Sequence, residues 1–214
     1  ATPVLTVRQA WGHRAYRAAL AANFANGWAV YGVRVSLVPL FVVEVLHRPG
    51  SLAGAALSVF AAGTVTVLVF SGRLVDLVGR RLPMLVGLAV TGAATVWLGF
   101  TRGMPEFLAA ALIAGAGAGL VTPAQGATVA DVVGSRAKGG PVLALVQMTA
   151  DIGSICGPIA TGLLVDHLSY LAAFTLTGGV ALLAALVWLR APETLPRAEE
   201  EPAQVGTPSL SRRG

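Results

Sequence analysis

The sequence predicts an all-α membrane protein with six transmembrane helices, arranged as an inverted pair of three-helix repeats. Three observations predict it. Hydrophobic residues make up 55% of the 214 residues and charged residues only 12%, and the mean hydropathy is +0.74; a soluble domain carries about 25% charged residues. Six long apolar runs follow one another, each near the roughly 20 residues that a helix needs to cross a bilayer. A five-residue pattern, Gly72-Arg73-Leu74-Val75-Asp76, recurs 90 residues later as Gly162-Leu163-Leu164-Val165-Asp166.

The elements follow in order. Residues 1–13 read as a linker or a short surface helix carrying Val4, Val7 and Trp11. A six-helix transmembrane domain spans residues 14–190. Its first span, 18–46, contains Arg34; Asn23, Trp28, Tyr31 and Arg34 fall at helical spacings that place them on one broad face, and Pro39 can kink the outer end. Spans 51–71 and 82–101 flank the decapeptide 72–81, read as a loop. The fourth span, 105–130, carries Gly115, Gly117 and Gly119, then Thr122, Gln125 and Thr128. Gln147, Asp151, Gly153, Gly157 and Pro158 lie in the fifth, 141–165, and the sixth is 168–190. These runs are too long, and alternate too little, for transmembrane strands. Residues 191–214 hold Pro192, Pro196, Pro202, Pro208 and Glu199-Glu200-Glu201 with little to bury, the composition of a disordered tail.

Charge placement orients the spans. Arg8, Arg14 and Arg17 precede the first; Arg73, Arg80 and Arg81 follow the second; Arg136 and Lys138 follow the fourth; Arg190, Arg197, Arg212 and Arg213 follow the sixth. These twelve share one side, against Arg48 and Arg102 on the other. The positive-inside rule puts both termini and the arginine loop in the cytoplasm of a cytoplasmic (inner) membrane. The net charge of +5 is therefore topological, and nucleic acid is not an expected partner. The single cysteine, Cys156, precludes an intrachain disulfide. No Gly-x-x-x-x-Gly-Lys run is present for nucleotide. Gly153-Ser154-Ile155-Cys156-Gly157 has the wrong spacing for a serine nucleophile, and no His/Cys/carboxylate cluster predicts a metal. Neither an enzyme nor a cofactor is expected.

The 90-residue offset also aligns Gly63 with Gly153 and Gly27 with Gly117. The repeats cover 18–101 and 105–190; three spans is an odd number, so the copies are inverted in the membrane, as transporter repeats often are. The decapeptide resembles the cytoplasmic loop motif of the major facilitator superfamily, Gly-x-Leu-x-Asp-x-x-Gly-Arg-Arg, through Gly72, Leu74, Asp76, Gly79, Arg80 and Arg81. The resemblance covers about residues 14–195 and implies half of a twelve-helix permease. The absence of an arginine before the glycine run of the fourth span, and the ending Ala191-Pro192-Glu193-Thr194, point to the C-terminal half of a drug-efflux-like member, the N-terminal half being absent. Against that, Gly153-x-x-x-Gly157-Pro158 resembles an antiporter motif that normally lies in the N-terminal half, so the choice of half stays open.

The implied function is secondary transport of a small solute by alternating access, with protons as a possible coupling ion. The alternative is a non-transporting six-helix membrane partner or a truncated permease half. The resemblance makes Gly72, Asp76, Gly79, Arg80 and Arg81 a conformational latch, in which Asp76 meets a helix end of the other half; the alternative is that the arginines set topology only. Arg34 is costly within a span, which suggests a cavity or a partner. Asp151 lies ten residues past Pro141, near the bilayer middle, with Gln147 one turn earlier. A carboxylate at that depth is a candidate proton site, and Arg34 is its candidate partner. Arg34, Asp151, Gln147, Asn23, Tyr31 and Gln125 thus form the candidate substrate or proton pathway. Gly153, Gly157 and Pro158 are candidates for close helix packing.

Overall fold

The computed structural model describes residues 6–134 and 139–194. A short helix α1 (Val7–Trp11) opens the chain, started by Thr6 and Gln9, whose side chains and backbones cap one another. The first span is one helix in three pieces: α2 (Arg14–Asn26), a π-helical segment (Gly27–Val33) and α3 (Arg34–Glu44). Then come α4 (Ser51–Val78), α5 (Arg81–Phe100), α6 (Met104–Val133), α7 (Gly140–His167) and α8 (Tyr170–Leu189). Among the described residues, six helices are long and apolar enough to cross a membrane: the joined Arg14–Glu44 and α4 to α8.

The decapeptide is not a loop through most of its length. α4 continues to Val78, and only Gly79 and Arg80 join it to α5. The physical reason is that Leu74, Val75, Leu77 and Val78 keep the chain apolar past Gly72, with Val75 buried; Asp76, on the last turn of α4, meets Arg80 across the Gly79 turn at 3.6 Å. Residues 162–166, which close the fifth span, form the end of α7. The expected basic loop with Arg136 and Lys138 lies outside the described residues, as does the expected tail from residue 195 on.

Helix pairing repeats. α4 packs along α6, the first span packs along α7 in the same manner, and α5 lies against α8. Glycines set both close approaches. A Cβ on Gly115 would run into the Phe60 carbonyl, and one on Gly119 would come within 2.6 Å of the Thr64 oxygen. Across the other pair, a Cβ on Gly27 would run into the Ala150 carbonyl, and one on Gly32 would come within 2.9 Å of the Ser154 oxygen. Positions 60 and 64 shifted by 90 are 150 and 154, so the second helices of the two triplets keep the expected offset. In the first helices the equivalents are Gly27 with Gly115 and Gly32 with Gly119, so the expected match of Gly27 with Gly117 is displaced. The π-helical turn widens the mismatch by one residue: its two contacts fall five residues apart where those of α6 fall four apart.

Among the described residues, two larger apolar clusters and a small third one, of Phe60, Ala94, Ala114 and Ala118, fill the bundle. One, at the arginine-loop end, gathers Tyr16, Met84, Leu88, Val142 and Trp188. At the other end Phe41 stacks on Phe107 at 5.3 Å and meets Phe174 edge-on at 5.2 Å. Only 22% and 28% of the apolar stretches of α4 and α7 are buried, so the second helix of each triplet presents the barest face.

Candidate functional site

Two features stand at the arginine-loop end of the bundle. The first is built on Gly79, whose φ of 102° and ψ of 174° fall in a region open essentially to glycine alone. That turn exposes the backbone N–H groups that start α5. The Glu193 carboxylate accepts from Arg80 N at 2.8 Å and from Arg81 N at 3.1 Å, as an anion at a helix N-terminus should. Arg80 Nε donates to Asp131 Oδ2 at 3.1 Å, and Arg80 Nη1 donates to Val75 O at 3.0 Å. Thr194 Oγ1 also donates to Asp131, at 3.1 Å. Arg81 donates to the Leu189 carbonyl at the end of α8. The cluster thus ties α4, α5, α6 and the segment after α8 together. Asp76 stands at its rim with 74% of its side chain exposed, and Gly72 faces open space.

The second feature is a cavity of about 1030 Å³ between the last half of α6 and the first half of α7. Thr122, Gln125, Asp131 and Gln147 give it polar groups, and Val129, Leu143 and Val146 give it apolar walls. Asn23, buried on α2, fixes one side: its Nδ2 donates to Val146 O, and its Oδ1 accepts from Gln125 Nε2. Gln147 Nε2 donates to Asp151 Oδ1 at 3.1 Å, which joins the exposed Asp151 to the cavity edge. A mixed wall of this kind suits an amphipathic solute.

The sequence-selected residues therefore divide. Asn23, Gln125, Gln147 and Asp151 are brought together. Tyr31 is 64% exposed on the outer side of the π-helical segment. Trp28 turns the other way and donates from Nε1 to Thr177 Oγ1 of α8 at 3.3 Å. The wide turn spreads these side chains, so Asn23, Trp28, Tyr31 and Arg34 do not share one wall. Arg34 is 6% exposed, with its guanidinium carbon 3.4 Å from the centre of the Phe60 ring. Its Nε has no hydrogen-bond partner, and among the described residues Arg34 makes no ion pair, with Asp151 or otherwise. A desolvated cation–π contact contributes about 2 kcal/mol, less than the several kcal/mol lost on taking an ion out of water. Gly153 abuts Phe24 O and Trp28 N, Gly157 abuts Trp28 O, and Pro158 faces Gly32, all across the α7 contact with the first span.

Asp131, Glu193, Thr194 and Phe60 were not selected from the sequence. The first three are recognisable only by position, an acid or hydroxyl at a span end on the arginine side. Phe60 carries no signal in an apolar run.

Known proteins place this arrangement. The sequence profile described as Major Facilitator Superfamily matches residues 19–213. Multidrug resistance protein 1 of Bacillus subtilis (strain 168) is 29% identical over 188 residues, which cover 85% of this chain and 46% of that protein. Multidrug resistance protein MdtM of Escherichia coli (strain K12) is 28% identical over 157 residues, covering 73% and 38%. The crystal structure of a peptide transporter, POT, in complex with sulfate superposes with a TM-score of 0.71 at 20% identity, over 88% of this chain and 39% of that one; at that identity the likeness is one of fold. The chain spans less than half the length of each of these relatives. With most of its residues matched by the family profile, and its fold shared with a solved transporter, this multi-pass membrane chain belongs to the major facilitator superfamily, a family of transporters and not of enzymes.

Proposed function

We propose that the chain supplies the C-terminal six helices of a secondary transporter that exports drug-like, amphipathic solutes by alternating access, driven by protons. The observation that carries this reading is the cavity between α6 and α7, with its Gln125, Gln147 and Thr122 rim, beside a polar cluster that ties four parts of the bundle. Relatives named for multidrug resistance support the solute class. The N-terminal half is the proposed partner for the bare faces of α4 and α7, and the chain's share of its relatives' length supports that. Both termini face the cytoplasm of the inner membrane, as the arginine bias implies.

In this reading Asp76 is the latch that meets the other half, with Arg80, Arg81 and Gly79 holding its base. A carboxylate at a helix N-terminus is stabilised by about 0.3–1 kcal/mol when exposed, weak enough to break in each cycle. Asp151 exchanges the proton, and Gln147 relays its state to the cavity. Arg34, Tyr31, Asn23 and Gln125 belong to the solute pathway.

Proteoliposomes test it. The chain is reconstituted alone and together with an N-terminal half, and uptake of a fluorescent lipophilic dye is followed under an imposed pH gradient. Gradient-driven flux with both halves and none with either alone is expected. Asp151→Asn should abolish gradient-driven flux while sparing dye exchange. Flux that ignores Asp151→Asn sinks the proton assignment; absence of flux with both halves favours a non-transporting membrane partner.

A further inference from the structure

The start of α2 and the end of α8 meet at the arginine-loop end. Between them lies a cavity of about 380 Å³ lined by Arg14, Arg17, Val187, Arg190 and Ala191. Arg14 and Arg17 are three residues apart and share a face of α2, and Arg190 is the residue that ends α8. All three are exposed. None makes an ion pair or a hydrogen bond from its side chain among the described residues. Arg14 also borders a smaller cavity with Asp131 and Glu193, but Arg80 and Thr194 hold Asp131, and the Arg80 and Arg81 backbone holds Glu193.

Three guanidinium groups around one hollow repel each other. Arg14, at the first position of α2, also opposes the positive end of that helix dipole. An anion relieves both. Arginine's planar fork suits phosphate oxygens in particular. The surroundings choose between a free phosphate and a lipid. The hollow lies where α2 begins and α8 ends, which the arginine bias puts at headgroup depth. Below Arg190, the exposed Leu183, Leu186 and Val187 run down α8 at spacings of seven, four and three residues, a stripe that one acyl chain can follow.

We propose that this hollow binds an anionic glycerophospholipid, its phosphate among Arg14, Arg17 and Arg190 and its chain along Leu183 and Val187. Because it rests on the membrane placement and on the α2–α8 contact, it stands or falls apart from the transport reading.

Native mass spectrometry of the chain in neutral detergent tests it, with phosphatidylglycerol and phosphatidylcholine of the same chains. Each basic residue near a membrane surface adds to the attraction for an anionic lipid, so the wild type should retain phosphatidylglycerol at least about tenfold more tightly than phosphatidylcholine. The triple variant Arg14→Gln, Arg17→Gln, Arg190→Gln should lose that preference, and the triple lysine variant should keep most of it, which separates charge from misfolding. Arg48→Gln and Arg102→Gln, at the other end, should change nothing. Millimolar inorganic phosphate should not displace the lipid. Equal retention of the two lipids, a preference that survives the glutamine variant, or displacement by phosphate would each overturn the proposal.

Discussion

Arg34 is held in the bundle at a cost that its surroundings do not return. Among the described residues Phe60 is its one close electrostatic contact, and its Nε is unsatisfied. Replacing a poorly paired buried ion by an apolar residue of similar shape is neutral or stabilising by about 1–4 kcal/mol. Arg34→Met should therefore raise the unfolding temperature in detergent while lowering solute flux in the two-half vesicles; a drop in stability would mean that the guanidinium is satisfied. Gly79 works in the opposite sense. Any side chain there meets both an unfavourable φ and the Glu193 carboxylate, so Gly79→Ala should lower stability by about 1–3 kcal/mol, read in the same melt. At this scale the sequence was half informative. The motif named Gly79, Arg80 and Arg81, because adjacent residues carry it. Asp131 was not singled out, and Glu193 was read only as part of the chain's ending, because they reach Arg80 across 51 and 113 residues, a proximity that only the fold creates.

Helix spans were legible because lipid imposes length and apolarity on each of them. Their ends were less so. Hydropathy falls at Ser71 and Gly72, but the helix continues to Val78, since backbone hydrogen bonding does not stop where lipid does. The π-helical segment was invisible for another reason. It is one extra residue measured against a partner, and it shows only when the contacts of Gly27 and Gly32 are laid beside those of Gly115 and Gly119. Deleting Val30 should therefore restore a regular helix with the spacing that α6 already uses, and leave the unfolding free energy, read in the same melt, within about 1 kcal/mol of the wild type. Deleting Ala116, between Gly115 and Gly119, should cost several times more, because side chains replace glycine against the α4 backbone. Equal losses from the two deletions would refute the register.

For the whole molecule, the arginine bias makes a sharp forecast. In a Cys156→Ser background, Thr6→Cys should react with a membrane-impermeant maleimide only from the cytoplasmic face, and Arg48→Cys only from the opposite face. Labelling of both from one side would contradict the six-span topology. The inverted architecture was legible because a five-residue echo survived in both triplets. The cavity was not, because Asn23, Gln125 and Val146 come from three helices whose rotations no one-dimensional pattern records.

The wide turn of the first span also carries a history. A helix tolerates a gained residue when it can swell locally, and here one triplet holds a residue that its mate lacks between matching contacts. A single codon, gained in one copy or lost from the other, separates them. Such a difference can arise only once the ancestral triplet has been duplicated, so the mismatch between the two copies is younger than the duplication.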